Sequence, residues 1–398
     1  MNRIETASNT SSSSQRGHLL PDRQDLIETH RINSWNEIAD SSVAWAELVE
    51  RQTSCTIFQT YEWHHSWWQA FGDNHELFVV LCHKNGQLVG VAPMMIANTT
   101  STTDRQRKEL RFIGCTNGAS DYLDFIVDPD IPEALDAILK HISDYLPHVD
   151  RIHLSHYPSH ADTLQRTVNY FEKRGSRIAV EFDQEAPFRL MGDTQDDKRT
   201  ANKASLRRRH NYFQKSGELR FHSCASESEI FGYIETFFDQ HIARRELTHS
   251  ASQFLDSKQH LFYRDLVRQL FPHGWLRFDV VLFNEEPIAF HFGFEYGNKF
   301  YWYKPTFDVR YAKRSPGEVL MKFLLEDTID RKLSEFDFTV GSEAFKYRYS
   351  NGVRHNKTLI VFHSFFDYWM YRSKIILRNL GKRISAARTA KSGNSPRQ

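Results

Sequence analysis

The chain has 398 residues, with 51 Lys and Arg against 50 Asp and Glu; the length suits two or three domains and the near-zero balance excludes a general electrostatic pull towards nucleic acid. Thirty Phe, 16 Tyr and 8 Trp supply a substantial core. No apolar run reaches the length of a membrane span, the opening MNRIETASNTSSSSQRGHLL has no signal-peptide apolar stretch, and four scattered cysteines without a CxxC pattern are expected as free thiols of a cytosolic protein.

Residues 1–30, polar and rich in Ser and Thr, are expected to form a disordered tail. In FQTYEWHHSWWQAFG, residues 58–72, Trp63 and Trp67 lie one helical turn apart; this places them in the core or, on a second reading, in the floor of a sugar site. Leu77–Cys82 and Leu88–Ile96 read as strands around a turn. Glu109–Gly114 and Tyr122–Val127 read as extended. A helix over 132–145, a strand over 151–156 and a helix over 161–174 follow. In SDYLDF, Asp121, Tyr122 and Asp124 are candidates to bind sugar hydroxyls or an amine, unless they only end a strand. Lys198–Lys215 holds seven basic residues in eighteen, which suits an anionic ligand or a solvated helix face.

The second half is clearer. Leu276–Phe283, Ile288–Tyr296 and Lys299–Tyr303 read as three strands, the last two joined at Gly297-Asn298. A helix then begins at Ser315-Pro316-Gly317-Glu318. Ser315 suits the N-cap, Pro316 the first helical position, and Glu318 completes a capping-box spacing. Gly317 is left over, since glycine in a first turn costs about 1 kcal/mol of helix propensity. It is tolerated where a ligand comes close to the backbone, and helix N-termini bind anions. The same residues also make a well-capped helix with no ligand. Glu335–Val340 reads as a strand, Glu343–Tyr349 as a short helix and Lys357–His363 as a closing strand. Asp337 lies between Phe336 and Phe338, so it faces away from them; a charge there needs a partner or a function, and Lys346 or Arg348 is the expected partner. His291 and Glu295 share a strand face. No histidine pattern indicates a metal.

VVLCHKNGQLVGVAPMM from Val79 resembles FDVVLFNEEPIAFHFGF from Phe278, and the surrounding elements recur in the same order, which indicates an internal duplication. That order resembles the GNAT acyltransferase fold. FQTYEWHHSWWQAFG, SDYLDFIVDP, SLRRRHNYFQKSGELRF, YAKRSPGEVLM and FDFTVGSEAFKYRYS together resemble the CelD/BcsL-type GNAT proteins associated with cellulose and exopolysaccharide production, relatives of the FemAB peptidyltransferases. Ser342 and Ala344 stand where that family often has an acidic residue and a proline, and the usual Arg/Gln-x-x-Gly-x-Gly/Ala coenzyme signature is absent.

The resemblance implies an α+β fold of two tandem GNAT-like (acyl-CoA N-acyltransferase) α/β/α domains with mixed, mainly antiparallel sheets, at residues 31–190 and 191–365, followed by a basic tail at 366–398. It implies acetyl-CoA or another acyl-CoA as co-substrate of the second domain. Lys313, Arg314, Ser315 and Gly317 would hold its pyrophosphate. Glu343, then Asp337, then His291 would serve as base, and Tyr303 as proton donor to the thiolate. Asp121, Tyr122, Lys346 and Arg348 would contact a sugar- or amino-acid-related acceptor in the cleft between the halves. Two rivals stand beside this: a FemAB-like transferase using aminoacyl-tRNA, and a degenerate GNAT fold with an assembly role. From Tyr368 onward the chain has eight Lys or Arg and no acidic residue. This segment is expected either on an anionic membrane surface or as a helix packed through Phe365, Trp369 and Ile376.

Overall fold

A computed structural model describes residues 26–100, 106–247 and 250–377. Residues 1–25 of the expected tail, and the basic segment beyond residue 377, lie outside these. The N-terminal half runs β1 (Ile27–Ile32), α1 (Trp35–Ala39), α2 (Ser42–Glu50), α3 (Tyr61–Phe71), β2 (His75–Lys84), β3 (Gln87–Thr100), β4 (Gln106–Phe112), β5 (Ile126–Val127), α4 (Glu133–Tyr145), β6 (Arg151–Pro158), α5 (Asp162–Lys173) and β7 (Arg177–Leu190). The C-terminal half runs α6 (Thr194–Ala201), α7 (Ala204–Ser216), β8 (Leu219–Ser223), α8 (Glu227–Glu246), α9 (Ser257–Leu270), β9 (Leu276–Phe283), β10 (Glu286–Tyr296), β11 (Lys299–Phe307), α10 (Pro316–Asp330), β12 (Glu335–Asp337), α11 (Ala344–Tyr349) and β13 (Gly352–Phe362). A helix over residues 365–377, here α12, closes the described chain.

Local chemistry accounts for these elements. Asn85-Gly86 and Gly297-Asn298 both have positive φ at two successive residues, the geometry that matches the twist of a two-residue hairpin. In α4, Ala134, Leu135, Ile138, Leu139 and Ile142 form one buried stripe, the spacing of a helix lying on a sheet. Residues 27–30, expected in the disordered tail, belong to β1, which pairs antiparallel with β2.

All strands join one sheet in the order β1-β2-β3-β4-β6-β13-β7-β12-β11-β10-β9-β8, with β5 attached to β3. Its two sides mirror each other. β1 to β4 pair antiparallel and β4 meets β6 in parallel; β8 to β11 pair antiparallel and β11 meets β12 in parallel. At the centre the halves exchange strands: β13 pairs with β6, and β7 pairs with β12. Each half is thus completed by a strand from the other. The exchange explains Gly352 at the start of β13, where an added Cβ would lie 2.4 Å from the Phe188 ring on β7. A large core unites both halves, with Trp63 of α3 edge-on to Phe262 of α9 at 5.5 Å; Trp63 and Trp67 are fully buried. A second core lies between α7, α10 and the opposite sheet face.

Two expectations need correction. The strand expected over 335–340 ends at Asp337, because the Asp337 carboxylate accepts the Thr339 N–H at 2.7 Å and Thr339 turns to φ +57°, a side-chain turn that competes with the ladder. The capping box at Ser315 does not form. Ser315 ends a 3₁₀ turn over Val309–Arg314 in the left-handed region (φ 54°, ψ 60°) and makes no side-chain cap, whereas N-cap bonding uses an extended residue.

Candidate functional site

A cavity of about 580 Å³ opens between the halves. Its walls come from the chain after α2, the segment before α4, the start of α5, and β11, β12 and β13; Tyr122, Tyr301, Asp337 and Arg354 line it. Asp337 stands where β11 and β12, paired in parallel only over Lys299–Tyr301 and Glu335–Asp337, part from each other. Phe336 and Phe338 point into the second core, so the two-residue period turns Asp337 to the cavity. The Tyr122 hydroxyl, from the other half, donates to its two oxygens at 2.8 and 3.0 Å. Burial, then the Glu335 charge, pushes the Asp337 carboxyl up to about 6, against Arg354, Tyr122 and the Thr339 N–H, which favour the ionised form.

The partner of Asp337 is therefore not Lys346 or Arg348. It is Arg354 on β13, which approaches Asp337 at 3.4 Å and grips Glu335 with two nitrogens. The exchanged strand thus brings its cation across to β12 from beyond β7, with the guanidinium 3.9 Å from the Phe188 ring centroid. Replacing Arg354 by alanine leaves two buried carboxylates short of their cation. The expected cost is about 3–5 kcal/mol of stability, read as a lower urea midpoint at neutral pH.

His291 lies on the opposite face. It is fully buried, stacked between Phe300 and Trp302, with Nδ1 3.1 Å from Asp279 and Nε2 accepting the Tyr303 N–H at 3.4 Å. Gly293 makes room for it, since a Cβ there would sit 2.1 Å from the ring. Burial holds His291 below its ordinary range, so it is neutral. Asp279 is held low because Arg277, His291 and Ser223 together outweigh its burial. This arrangement sits beside the register shift of β10 between Phe292 and Phe294 and does not face the cavity. Tyr303, buried, donates its hydroxyl to the Ala119 carbonyl.

The remaining predicted residues form a second zone at the far end of β11. Lys346 donates to the Val340 carbonyl at 2.7 Å and meets Glu343 at 3.1 Å, holding the loop after β12; the Glu343 side chain is 57% exposed. Asp121 and Lys304 face this loop. Burial pushes the Asp121 carboxyl up despite Lys304 and Lys346, and burial pulls the Lys304 ammonium down. At the start of α10, Glu318 is drawn aside by Arg348 at 3.4 Å and Arg209 at 3.7 Å. An added Cβ on Gly317 would touch only Phe307, at 3.5 Å, so the space beside this first turn is open. Lys313 and Arg314 are exposed there. The Arg314 guanidinium lies 4.2 Å from the Tyr212 ring, and Tyr212 lines a concavity of about 400 Å³ with Arg207, Arg208 and Lys215.

Residues 200–347 match the family model described as an acetyltransferase (GNAT) domain. That stretch of the C-terminal half is therefore similar to a GNAT domain. With the mirrored strand order of the N-terminal half, the chain has a tandem GNAT-like α+β fold. Among solved structures, FemX aligns over 83% of this chain and 96% of its own, with a TM-score of 0.57 at 11% identity. A C-terminal DUF2156 domain from Agrobacterium fabrum covers 85% and 96% (TM-score 0.52, 10% identity). A conserved protein of unknown function from Bacteroides thetaiotaomicron covers 85% and 100% (TM-score 0.50, 11% identity). At such identities the likeness is one of fold. No curated protein sequence matches the chain.

α10 follows β11, which becomes the fourth strand of the C-terminal half because β8 precedes the three expected ones, and the free N–H groups of its open first turn lie beside exposed cations. For metals, His222, Cys224 and Glu229 bring ligating atoms within 4.8 Å of one another at the outer strand β8. There Glu229 already accepts the Ala225 N–H at 2.8 Å, and burial pushes the Cys224 thiol up to about 12, which disfavours the thiolate a metal takes. Of Arg354 and Asp124, which both line the cavity, Arg354 was missed as a site residue, whereas Asp124 was a candidate in SDYLDF. Asp124 accepts from the Thr163 hydroxyl and the Phe125 N–H, while burial pushes its carboxyl up to about 7. An arginine inside the strand VRHNKTLIVF was the available signal for the first.

Proposed function

We propose that the protein is an acyl-CoA-dependent acyltransferase in which Asp337 is the general base for an amine or hydroxyl acceptor held in the cavity between the halves. The observation that carries this is Asp337 itself: a buried carboxyl, pushed up to about 6, lining the cavity where β11 and β12 separate. A base is most useful with a pKa near the working pH. Acyl-CoA would lie with its pyrophosphate at the open first turn of α10, near Lys313 and Arg314, and its thioester in the gap between the strands. The acceptor would attack the thioester carbonyl from the cavity side. Asp337 takes the acceptor's proton, the C–N or C–O bond forms, and the coenzyme thiolate leaves. Tyr122 and Arg354 steady the carboxylate, and Lys304 and Lys346 supply positive charge near the leaving group. Glu343, exposed and paired with Lys346, ranks behind Asp337 on this geometry. A sugar- or amino-acid-related acceptor, and a setting in exopolysaccharide or envelope synthesis, follow from the family resemblance alone.

Titration calorimetry with acetyl-CoA tests the reading. Binding is expected, and the double variant Gly317→Trp with Arg314→Glu is expected to weaken it by tenfold or more, roughly the loss of one charge-assisted contact. No binding of any acyl-CoA, with binding of aminoacyl-tRNA instead, would replace this proposal by the FemAB-like one. The basic groove of Arg207, Arg208 and Lys215 is the feature that favours that second reading.

A further inference from the structure

The expected packing of the C-terminal helix through Phe365, Trp369 and Ile376 is reversed. These three are 56%, 52% and 53% exposed, and Phe366, Met370 and Leu377 are exposed as well. The helix instead packs inward through Tyr368 and Tyr371, against Ala179, Ile360 and Phe362 of the exchanged strands. Asp367, its one acidic residue, is buried and paired with Arg107 at 3.3 Å. At about 100° per residue, the six exposed apolar side chains fall in one arc of the helix, opposite the tyrosines. Arg372 and Lys374 are exposed and border that arc, one on each side. Beyond residue 377 the sequence holds six more Lys or Arg and no Asp or Glu.

We propose that α12 is a membrane-docking helix. It would lie in the plane of an anionic lipid surface, with the Phe365, Trp369 and Ile376 row sunk to the headgroup level and Arg372 and Lys374 on the lipid phosphates. Three observations select a bilayer over another occupant. The arc carries Phe365, Phe366 and Trp369, all exposed, the bulky aromatic type that settles at the headgroup level of a bilayer. Its borders are cationic on both sides, which two copies brought face to face would set against each other. The one carboxylate of the helix is turned away and neutralised, so nothing on the exposed face repels an anionic surface. No helix among the described residues is long and apolar enough to cross a membrane, so attachment is to one face. The helix follows the C-terminal end of β13, whereas Arg354 of the cavity lies near its N-terminal end, so docking and acyl transfer are separable.

The test is co-sedimentation of the full chain with vesicles of phosphatidylcholine alone and of phosphatidylcholine mixed with phosphatidylglycerol. Binding is expected only to the anionic vesicles, weakening as salt rises. Phe366→Ser with Trp369→Ser, both exposed and hence compatible with folding, is expected to lower the partition coefficient at least about tenfold, as is Arg372→Glu with Lys374→Glu. Cavity-dependent activity on a soluble acceptor stays unchanged in both. Failure to bind anionic vesicles, or binding that neither variant alters, overturns the proposal. So does a dimer in light scattering that the Phe366/Trp369 variant dissolves while vesicle binding is absent.

Discussion

Replacing Asp337 by asparagine is expected to lower the rate of acyl transfer by about 10²–10⁴-fold, the usual contribution of a positioned base, with acyl-CoA affinity retained. The pH dependence supplies a signature that a purely structural role lacks. The base works ionised, and its carboxyl is pushed up to about 6 by burial and by Glu335. Activity should therefore rise with pH through about 6 and level off above it. Glu335→Gln removes a neighbouring negative charge and should move that limb to lower pH. Tyr122→Phe removes a donor to the ionised form and should move it higher. Stability goes the other way. A carboxyl whose folded value exceeds its ordinary 3.8 binds its proton more tightly when folded, so the stability it contributes falls as pH rises from about 4 towards 6. Asparagine relieves that cost, and the thermal midpoint at neutral pH should hold or rise. Unchanged turnover in Asp337→Asn would remove the carboxyl from the chemistry and leave the cavity without its base.

The second large effect is structural. Ending the chain at Ser350 removes β13, which fills the slot between β6 and β7. Leu359, Ile360, Val361 and Phe362 are all buried there. At about 1.5–3 kcal/mol for each large apolar side chain, their loss approaches the whole stability of about 5–15 kcal/mol typical of a folded protein. The loss of the Arg354 contacts adds to it. The truncated chain is expected to aggregate and to show no cooperative thermal transition by circular dichroism, although only the last eighth of the sequence is gone. A soluble product that melts cooperatively would mean that the N-terminal half closes without its borrowed strand.

From Leu276 to Tyr349 the strands and helices were legible because hairpin signals and two-residue alternation coincide there: Leu276–Phe283 was read to the residue, whereas α8 and α9 before it were not read. Asp337 was legible as a charge between two phenylalanines. The exchange was not. β7, RIAVEFDQEAPFRL, mixes charges with a proline and shows no clean alternation, because it is buried unevenly between β12 and β13, two neighbours that both come from the other half. Tyr122 and Asp337 lie 215 residues apart, and no local pattern reports such a meeting. The capping box failed because spacing alone does not reveal that Ser315 must first end a 3₁₀ turn in the left-handed region. Glu318, freed from the cap, then found two arginines from elsewhere in the fold.

The crossing of β7 and β13 also sets a timetable for biosynthesis. β6 is complete at residue 158, but its neighbour begins at residue 352. At roughly 5–20 residues per second on the ribosome, the first lobe must wait roughly 10–40 s with a bare, hydrogen-bond-hungry edge. Such an edge invites pairing with other nascent chains, so yield in a cell should respond more strongly to chaperones that shield emerging strands than the finished molecule's stability would suggest.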